Sequence, residues 1–312
     1  MDLQYRNFSF DYQSKMFGNS LIIQADCLEW LGRIPENSIH GMVTDPPYGA
    51  KEYEFDQLEK RANGNGGIWR IPPSFDGNVR SPLPRFTVLN EQERSSLNRF
   101  FFEWGKIVLH ALRPGGHVFL ASNSILSQLI FSAISDAGLE YRGNIIRVVR
   151  TLRGGNRPKN AEEQYSDVCS MPRGCYEPWG IFRKPLLQRM KVSDCLDMYQ
   201  TGGLRRKPDG NPFKDVIHSE RTPKMERKIA DHPSLKPQSF LRQLVYASLP
   251  LGEGIIVDPF MGSGSTVAAA EAVGYSCIGV ERYREYYELA ADAIPKLAKL
   301  NVLESYPHLS PT

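Results

Sequence analysis

The sequence has no stretch of 18 apolar residues, so no membrane-spanning helix is expected among its 312 residues. Its first 20 residues contain no apolar core of a signal peptide, and we expect a cytoplasmic protein. The five cysteines are scattered without a C-x-x-C pair, which disfavours a disulfide framework. Four candidate metal ligands lie in the second half of the chain: Cys169, Cys175, Cys195 and His218. Their spacing matches no standard zinc pattern, so no metal is expected.

Extremes of composition are also absent. Hydrophobic residues make up 41% and charged residues 23%, which excludes disorder, collagen and coiled coil and fits one large α/β domain or two ordinary ones. The net charge is only +3, but residues 147–230 hold 18 basic and 10 acidic side chains, against 20 and 25 elsewhere. Such a basic block predicts either contact with nucleic-acid phosphates or a solvated basic surface.

Helices and strands alternate in two parts of the chain. Strands are predicted at 21–24, 39–44, 117–122, 141–150, 254–257 and 275–280. Helices are predicted at 27–33, 91–113, 124–138, 235–249, 265–273 and 283–299. The alternation predicts a mostly parallel, twisted sheet covered by helices on both faces. Proline and glycine interrupt this pattern at 51–85, which predicts a long loop, and at 151–230, which predicts an irregular second region.

A glycine loop follows one predicted strand, which ends at Asp258. Gly262 and Gly264 let a ligand approach the backbone, and the next helix presents its amino-terminal amides. Glu281 ends the following strand, where a carboxylate can accept hydrogen bonds from ribose hydroxyls. The loop lacks the lysine of a P-loop, and Val267 occupies the third small position of the dinucleotide fingerprint. A nucleoside without phosphates, such as S-adenosylmethionine, suits this loop; an ordinary tight turn is the alternative.

A second motif, Asp45-Pro46-Pro47-Tyr48, ends the predicted strand 39–44. The prolines fix φ and remove two backbone donors, so the segment is stiff and offers carbonyl acceptors. Asp45 and the Pro46 carbonyl could each accept one hydrogen of an amino group, while Tyr48 could stack on a flat heterocycle. The motif therefore predicts chemistry at the amino group of a base; a turn with a capping aspartate is the alternative.

Together these motifs resemble those of the amino-directed DNA methyltransferases. DPPY at 45–48 is similar to the family's catalytic motif, and DPFMGSGST at 258–266 is similar to its cofactor motif. Their order, with a variable region between them, resembles the β group. HPSLKP at 232–237 and ADCLEWL at 25–31 resemble further segments of that group, and YEPWGIFRK at 176–184 weakly resembles one of its strands.

The resemblance implies an α/β, Rossmann-like S-adenosylmethionine-dependent methyltransferase fold with a mostly parallel twisted sheet and an inserted irregular target-recognition region. Residues 1–150 would form the catalytic half, with 51–85 as an inserted loop. Residues 151–230 would form the target-recognition region, and 231–312 the cofactor-binding half.

The resemblance also assigns site residues. The catalytic residues would be Asp45, Pro46, Pro47 and Tyr48. The cofactor-binding residues would be Asp26, Cys27, Asp45, His232, Lys236, Asp258, Phe260, Gly262, Ser263, Gly264, Ser265, Thr266 and Glu281. Lys236 could pair with the cofactor carboxylate, although His232 and Lys236 could instead begin a capped helix and Asp26 could cap another. The candidate DNA-binding residues, chosen from the basic block, are Arg150, Arg153, Arg157, Lys159, Arg205, Arg206 and Lys207.

The implied reaction is direct methyl transfer to an exocyclic amino group of a base flipped out of duplex DNA. An aspartate at position 45 favours adenine N6 over cytosine N4 by family analogy, and C5-cytosine chemistry is disfavoured because the chain has no Pro-Cys pair. The expected partners are double-stranded DNA, a cognate restriction endonuclease and a second copy of the chain. The alternatives are a non-catalytic DNA-binding protein on the same scaffold and an NAD-dependent dehydrogenase.

Overall fold

A central sheet forms the framework of the computed structural model, which describes residues 5–47, 59–60, 69–70, 83–84, 88–149, 154–232 and 234–302. Its strands are β1 (Gln13–Phe17), β2 (Ser20–Gln24), β3 (Ile39–Thr44), β6 (Leu112–Ala121), β7 (Glu140–Val148), β8 (Tyr176–Arg183), β9 (Val216–His218), β10 (Ile255–Asp258) and β11 (Ser276–Glu281). A separate two-stranded pair consists of β4 (Trp69–Arg70) and β5 (Leu83–Pro84).

Nine helices have both ends among the described residues. They are α1 (Arg6–Ser9), α2 (Cys27–Arg33), α3 (Glu91–Ala111), α4 (Ser127–Asp136), α5 (Val192–Tyr199), α6 (Lys224–Ile229), α7 (Gln238–Ser248), α8 (Ser265–Val273) and α9 (Arg284–Ala298). None of these described helices is long and apolar enough to cross a bilayer.

The strand order is β1-β2-β11-β10-β3-β6-β8-β7-β9. The five neighbouring strands β2, β11, β10, β3 and β6 are parallel. Strand β8 lies antiparallel between β6 and β7. The predicted mostly parallel sheet is therefore confirmed. Because β3 and β10 are parallel neighbours, their carboxyl ends meet at one edge, which we call the carboxyl edge.

Alternating side chains of the buried strands point to two separate cores. Met42 of β3 packs in the core that includes α2, α3 and α4, whereas Val43 packs in the core that includes α7, α8 and α9. Val257 and Ile256 of β10 divide in the same way. This period of two shows that helices cover both faces of the sheet, as predicted.

The predicted bounds of several elements are confirmed, and one prediction is wrong. Strand β3 and helices α2 and α8 begin and end at the predicted residues. Residues 113–116, expected to end a helix and precede a strand, lie within β6, because the strand begins directly after α3. A register shift between β3 and β6 accommodates Gly115, whose φ is +76°.

The range 151–230 contributes two strands, β8 and β9, to the central sheet. It also contributes α5. Cys195 within α5 and Thr201 just after it are buried against the Pro114 carbonyl near the start of β6. The role of this range in target recognition stays a prediction. Most of the predicted loop 51–85 lies outside the described residues.

Candidate active site

The two sequence motifs meet at the carboxyl edge. The Thr44 hydroxyl, one residue before Asp45, donates a hydrogen bond of 2.7 Å to Oδ1 of buried Asp258. The backbone amide of Phe260 donates to the same oxygen at 3.2 Å. Residues more than 200 positions apart are thereby fixed side by side, as the pairing of β3 with β10 requires.

A cavity of about 310 Å³ opens beside this contact, at the lower end of the size range of small-molecule sites. Nine predicted site residues line it: Asp26, Cys27, Asp45, Pro46, Pro47, His232, Phe260, Gly262 and Glu281. The remaining described loop residues are buried without lining the cavity: Asp258, Ser263, Gly264, Ser265 and Thr266. The structure thus brings the proposed catalytic and cofactor residues to one site. Tyr48 lies outside the described residues.

The glycine loop needs its two glycines for conformation and for space. Gly262 and Gly264 have φ values of +51° and +81°, which side-chain-bearing residues rarely adopt. A Cβ at Gly262 would lie 3.0 Å from the His232 ring, and one at Gly264 would lie 2.5 Å from Ile294. Glycine is therefore required where the chain turns from β10 into α8.

Glu281 connects the glycine loop to the next helix. Its Oε2 accepts a hydrogen bond of 3.0 Å from the Gly262 amide, and its Oε1 accepts one of 2.8 Å from the Tyr283 amide. Burial raises the pKa of Glu281 to about 7 despite these donors. Burial likewise raises the pKa of Asp258 to about 6, although the Thr44 and Thr266 hydroxyls donate to it. Acidic groups at and beside the cavity therefore change charge near neutral pH.

Asp26 fits both interpretations given to it. Its Oδ1 accepts hydrogen bonds from the Leu28 and Glu29 amides, which confirms the predicted cap of α2, and its side chain also lines the cavity. Burial, with the charge of Asp26, raises the pKa of neighbouring Cys27 to about 12. Cys27 is therefore a protonated thiol, unsuited to act as a nucleophile.

Lys236 lies against Asp45. Its ammonium group donates to Oδ2 of Asp45 and lies 3.5 Å from Oε1 of Glu177. Burial lowers the pKa of Lys236, but the two carboxylates outweigh burial and raise it overall. Lys236 is not among the described residues that line the cavity. Its pairing with a cofactor carboxylate stays a prediction, and Glu177 is a site residue that the motif analysis missed.

Seven further cavity residues were not predicted as site residues: Leu28, Phe100, Ser234, Pro259, Arg282, Tyr283 and Tyr286. Leu28, Ser234 and Pro259 lie within the motifs quoted from the sequence, whereas the other four lie outside them. The tyrosines lie just after Glu281, so their position behind a predicted ribose-binding residue was an available signal. The edge of the His232 ring faces Tyr286, with 4.6 Å between the ring centroids. Phe100 is on α3, where helical spacing alone does not separate cavity residues from core residues.

The candidate DNA-binding residues are divided between two edges of the sheet. Arg157 and Lys159 are exposed in segment 154–175, which follows β7 at the carboxyl edge. Arg205 lies at the opposite edge, where its guanidinium donates to the Tyr275 hydroxyl and stacks on Tyr246. Arg206 and Lys207 follow Arg205 in the chain, so the structure does not bring these three residues to the carboxyl edge, where Asp45 lies. Arg150 and Arg153 lie outside the described residues.

Known proteins share this architecture over most of its length. The chain is 23% identical over 270 residues to the type II methyltransferase M2.DpnII of Streptococcus pneumoniae, covering 86% of this chain and 87% of that protein. PvuII DNA methyltransferase, described as cytosine-N4-specific, matches at 16% identity with a TM-score of 0.56, covering 95% of this chain and 92% of that one. The M1.HpyAVI–SAM complex matches at 16% identity with a TM-score of 0.54, covering 89% and 98%.

A family model described as DNA methylase, N6_N4_Mtase, matches residues 39–292, which include both motifs and the strands between them. This chain belongs to the N6_N4_Mtase family of DNA methylases.

Proposed function

We propose that the protein transfers a methyl group from S-adenosylmethionine to an exocyclic amino group in duplex DNA, adenine N6 in preference to cytosine N4. One observation carries the proposal: Asp45, Pro46 and Pro47 line the same cavity as Phe260 and Gly262. The first set suits an amino group, and the second suits a nucleoside cofactor. A shared cavity is what direct transfer between two bound molecules requires.

The residues of the cavity wall fit S-adenosylmethionine. Glu281 would accept hydrogen bonds from the ribose hydroxyls, and Asp26 would face the positively charged amino end. Gly262 lines the cavity without a side chain, so its backbone faces the ligand space, and the loop carries no lysine for a phosphate. When bound, this cofactor supplies an electrophilic methyl group on a sulfonium.

Catalysis would depend on positioning rather than on a covalent intermediate. Asp45 and the Pro46 carbonyl would each accept a hydrogen bond from the target amino group and so direct its lone pair toward the methyl carbon. The nitrogen–carbon bond forms as the sulfur–carbon bond breaks, and the nitrogen then loses one proton to solvent. Flipping the base costs a few kcal/mol, of which stacking on Tyr48 would offset about 1–3 kcal/mol.

The preference for adenine rests on Asp45, because the resemblance associates aspartate at this position with adenine N6. The shared fold does not separate the two bases, since PvuII DNA methyltransferase is described as cytosine-N4-specific. A cognate restriction endonuclease belongs to the same proposal, since a relative of this chain is named a type II methyltransferase. A homodimer is proposed from the resemblance to the β group alone.

The test is methylation of unmethylated bacterial genomic DNA with labelled S-adenosylmethionine, followed by digestion to nucleosides and mass spectrometry. N6-methyladenine is the expected product. N4-methylcytosine as the sole product would overturn the base assignment, and absence of any product from the wild-type protein would overturn the enzymatic function.

Asp45→Ala is the accompanying variant. We expect it to lose about 100- to 1,000-fold in single-turnover rate, the usual effect of removing one group that stabilises a transition state. Its binding to DNA should persist, as measured by fluorescence anisotropy with a labelled duplex. Wild-type turnover in Asp45→Ala would contradict the role of this carboxylate.

A further inference from the structure

A row of alternating charges leads from Asp45 into the sheet. The ammonium of Lys236 lies between Asp45 and Glu177, and Oε2 of Glu177 lies 2.9 Å from Nη1 of Arg147. All four side chains are between 6% and 17% exposed. Two cations and two carboxylates thus form a neutral, largely buried cluster, which we call the charge row.

Glu177 is held from several sides. It lies directly opposite Arg147 in the register of β7 and β8, so the two form a cross-strand ion pair. The indole N–H of Trp179 donates to Oε1 of Glu177 at 3.1 Å, the same oxygen that faces Lys236. Burial raises the pKa of Glu177, but the charges of Lys236 and Arg147 outweigh burial and lower it overall. Glu177 therefore remains a carboxylate.

Arg147 is fixed in turn, by groups beyond the charge row. Its Nε donates to the Ser219 hydroxyl at 3.1 Å, and its Nη2 donates to the Glu220 carbonyl at 3.0 Å. Its guanidinium also lies 5.1 Å from the centre of the Phe240 ring. Each of the three guanidinium nitrogens thus donates to a partner, and Arg147 forms the rigid end of the charge row.

We propose that Glu177, anchored by Arg147, is a positioning residue for methyl transfer: it shares the charge of Lys236 and thereby keeps Asp45 in place as an acceptor for the target amino group. This inference rests on the proposed function, in which Asp45 contacts the base. Without Glu177, the whole charge of Lys236 would act on Asp45, which would become a weaker and displaced acceptor.

The loss of Glu177 would also change the titration of Lys236. The charged groups that face Lys236 are Asp45 from the end of β3, Glu177 from β8 and Arg147 from β7. Removing one carboxylate leaves two buried cations against one anion, so the ammonium form of Lys236 is less stable. In wild type the pKa of Lys236 is raised above its ordinary value of 10.5, so deprotonation of Lys236 falls above pH 10. In Glu177→Gln the deprotonation would begin at lower pH and bring an alkaline loss of activity into the range below pH 10.

The test compares single-turnover methyl transfer at pH 6 to 10 in full-length wild type, Glu177→Gln and a matched control, Glu140→Gln. Glu140 pairs with Arg183 at 2.6 Å on the same two strands, at their other end. Unmethylated genomic DNA and labelled S-adenosylmethionine are the substrates. We expect Glu177→Gln to be about 100-fold slower, the effect of a small misplacement at a catalytic group, with its alkaline limb at lower pH.

The control and the cofactor affinity define the remaining outcomes. Glu140→Gln should retain the wild-type rate and pH profile, and cofactor affinity should be unchanged in both variants. A wild-type rate in Glu177→Gln would overturn the proposal. A slower rate with an unmoved alkaline limb would overturn it as well, because that result indicates a structural role alone.

A double-mutant cycle tests whether Glu177 acts through Lys236. In the Lys236→Met background, Glu177→Gln should cause no further loss of rate; a full additional loss contradicts the proposal.

If Glu177→Gln does not fold, Glu177→Asp retains the charge but withdraws it from Lys236. The single-turnover rate of Glu177→Asp should lie between those of wild type and Glu177→Gln, with a smaller shift of the alkaline limb. A wild-type rate at every pH would contradict the proposal. Failure of wild type to methylate DNA refutes the proposed function instead.

Discussion

Glu281 is a cavity residue whose charge state changes near neutral pH. Burial raises its pKa to about 7, whereas the neighbouring amides of Tyr283 and Gly262 act in the opposite direction. Asp258 beside the cavity ionises earlier, with a pKa of about 6. Because an ionised carboxylate accepts stronger hydrogen bonds than a neutral one, the cavity wall becomes a better acceptor between pH 6 and 8.

We therefore expect S-adenosylmethionine to bind about fivefold more tightly at pH 8 than at pH 6, corresponding to about 1 kcal/mol between charged and neutral hydrogen bonds. Isothermal titration calorimetry measures this change. The matched variant is Glu281→Gln, which cannot ionise and should lose the fivefold component. Equal pH dependence in the two proteins would show that Glu281 does not contact the cofactor.

Several residues of the site were predictable because their roles are local. Asp26 caps α2 through amides two and three residues away, and the glycine loop follows its strand directly. The resemblance assigned Lys236 to the site, but its partners Asp45 and Glu177 lie 191 and 59 positions away in the chain. Sequence spacing carries no information on such contacts, so the charge row emerged only from the fold.

At the scale of elements, the bounds of a helix or strand were predictable where residues at its own ends determine them. Helix α8 lies between two glycines that both have left-handed backbone conformations, so the residues next to the helix determine where it begins and ends. Strand β8 is different, since it lies between proline- and glycine-rich segments and owes its place to pairing with β6 and β7. Residues 176–184 have only a weak resemblance to a strand of the family, and their place in the sheet was not predicted, because strand order depends on distant segments.

Two glycine-to-alanine substitutions should have opposite effects. Gly32 is exposed in α2, and a Cβ there would meet no atom within 4 Å, so Gly32→Ala should stabilise the protein by about 0.5–1 kcal/mol. Gly264→Ala should destabilise it by about 2–4 kcal/mol through left-handed strain and the clash with Ile294. Urea unfolding monitored by circular dichroism measures both. Similar stability changes in the two variants would contradict this account of the glycine loop.

At the scale of the molecule, the distribution of charge separates two groups of cations. Arg157 and Lys159 are exposed in the segment that leaves β7 at the carboxyl edge, whereas Arg206 and Lys207 follow Arg205 from the opposite edge. Under the proposed function, DNA would approach the carboxyl edge, where the cavity lies, and the first pair belongs to that edge. The basic block 147–230, although continuous in the sequence, therefore contributes cations to both edges of the sheet.

We expect the double variant Arg157→Gln with Lys159→Gln to weaken DNA binding and to reduce the slope of log affinity against log salt by about 1.8, or about 0.9 per phosphate contact. The matched control is Arg206→Gln with Lys207→Gln, which should leave the slope unchanged. Fluorescence anisotropy over a range of salt concentrations gives both slopes. The reverse result would assign DNA contact to the opposite edge.

The strand order has a consequence for biosynthesis. Strands β2 and β3 are consecutive in the chain, but β11 and β10 separate them in the sheet. Until residues 255–281 leave the ribosome, the nascent protein therefore has an unfilled slot between two apolar strands. Such open edges attract chaperones and other nascent chains. The glycine loop directly follows inserted strand β10, so the sheet and the proposed cofactor site are completed by the same late segment of the chain.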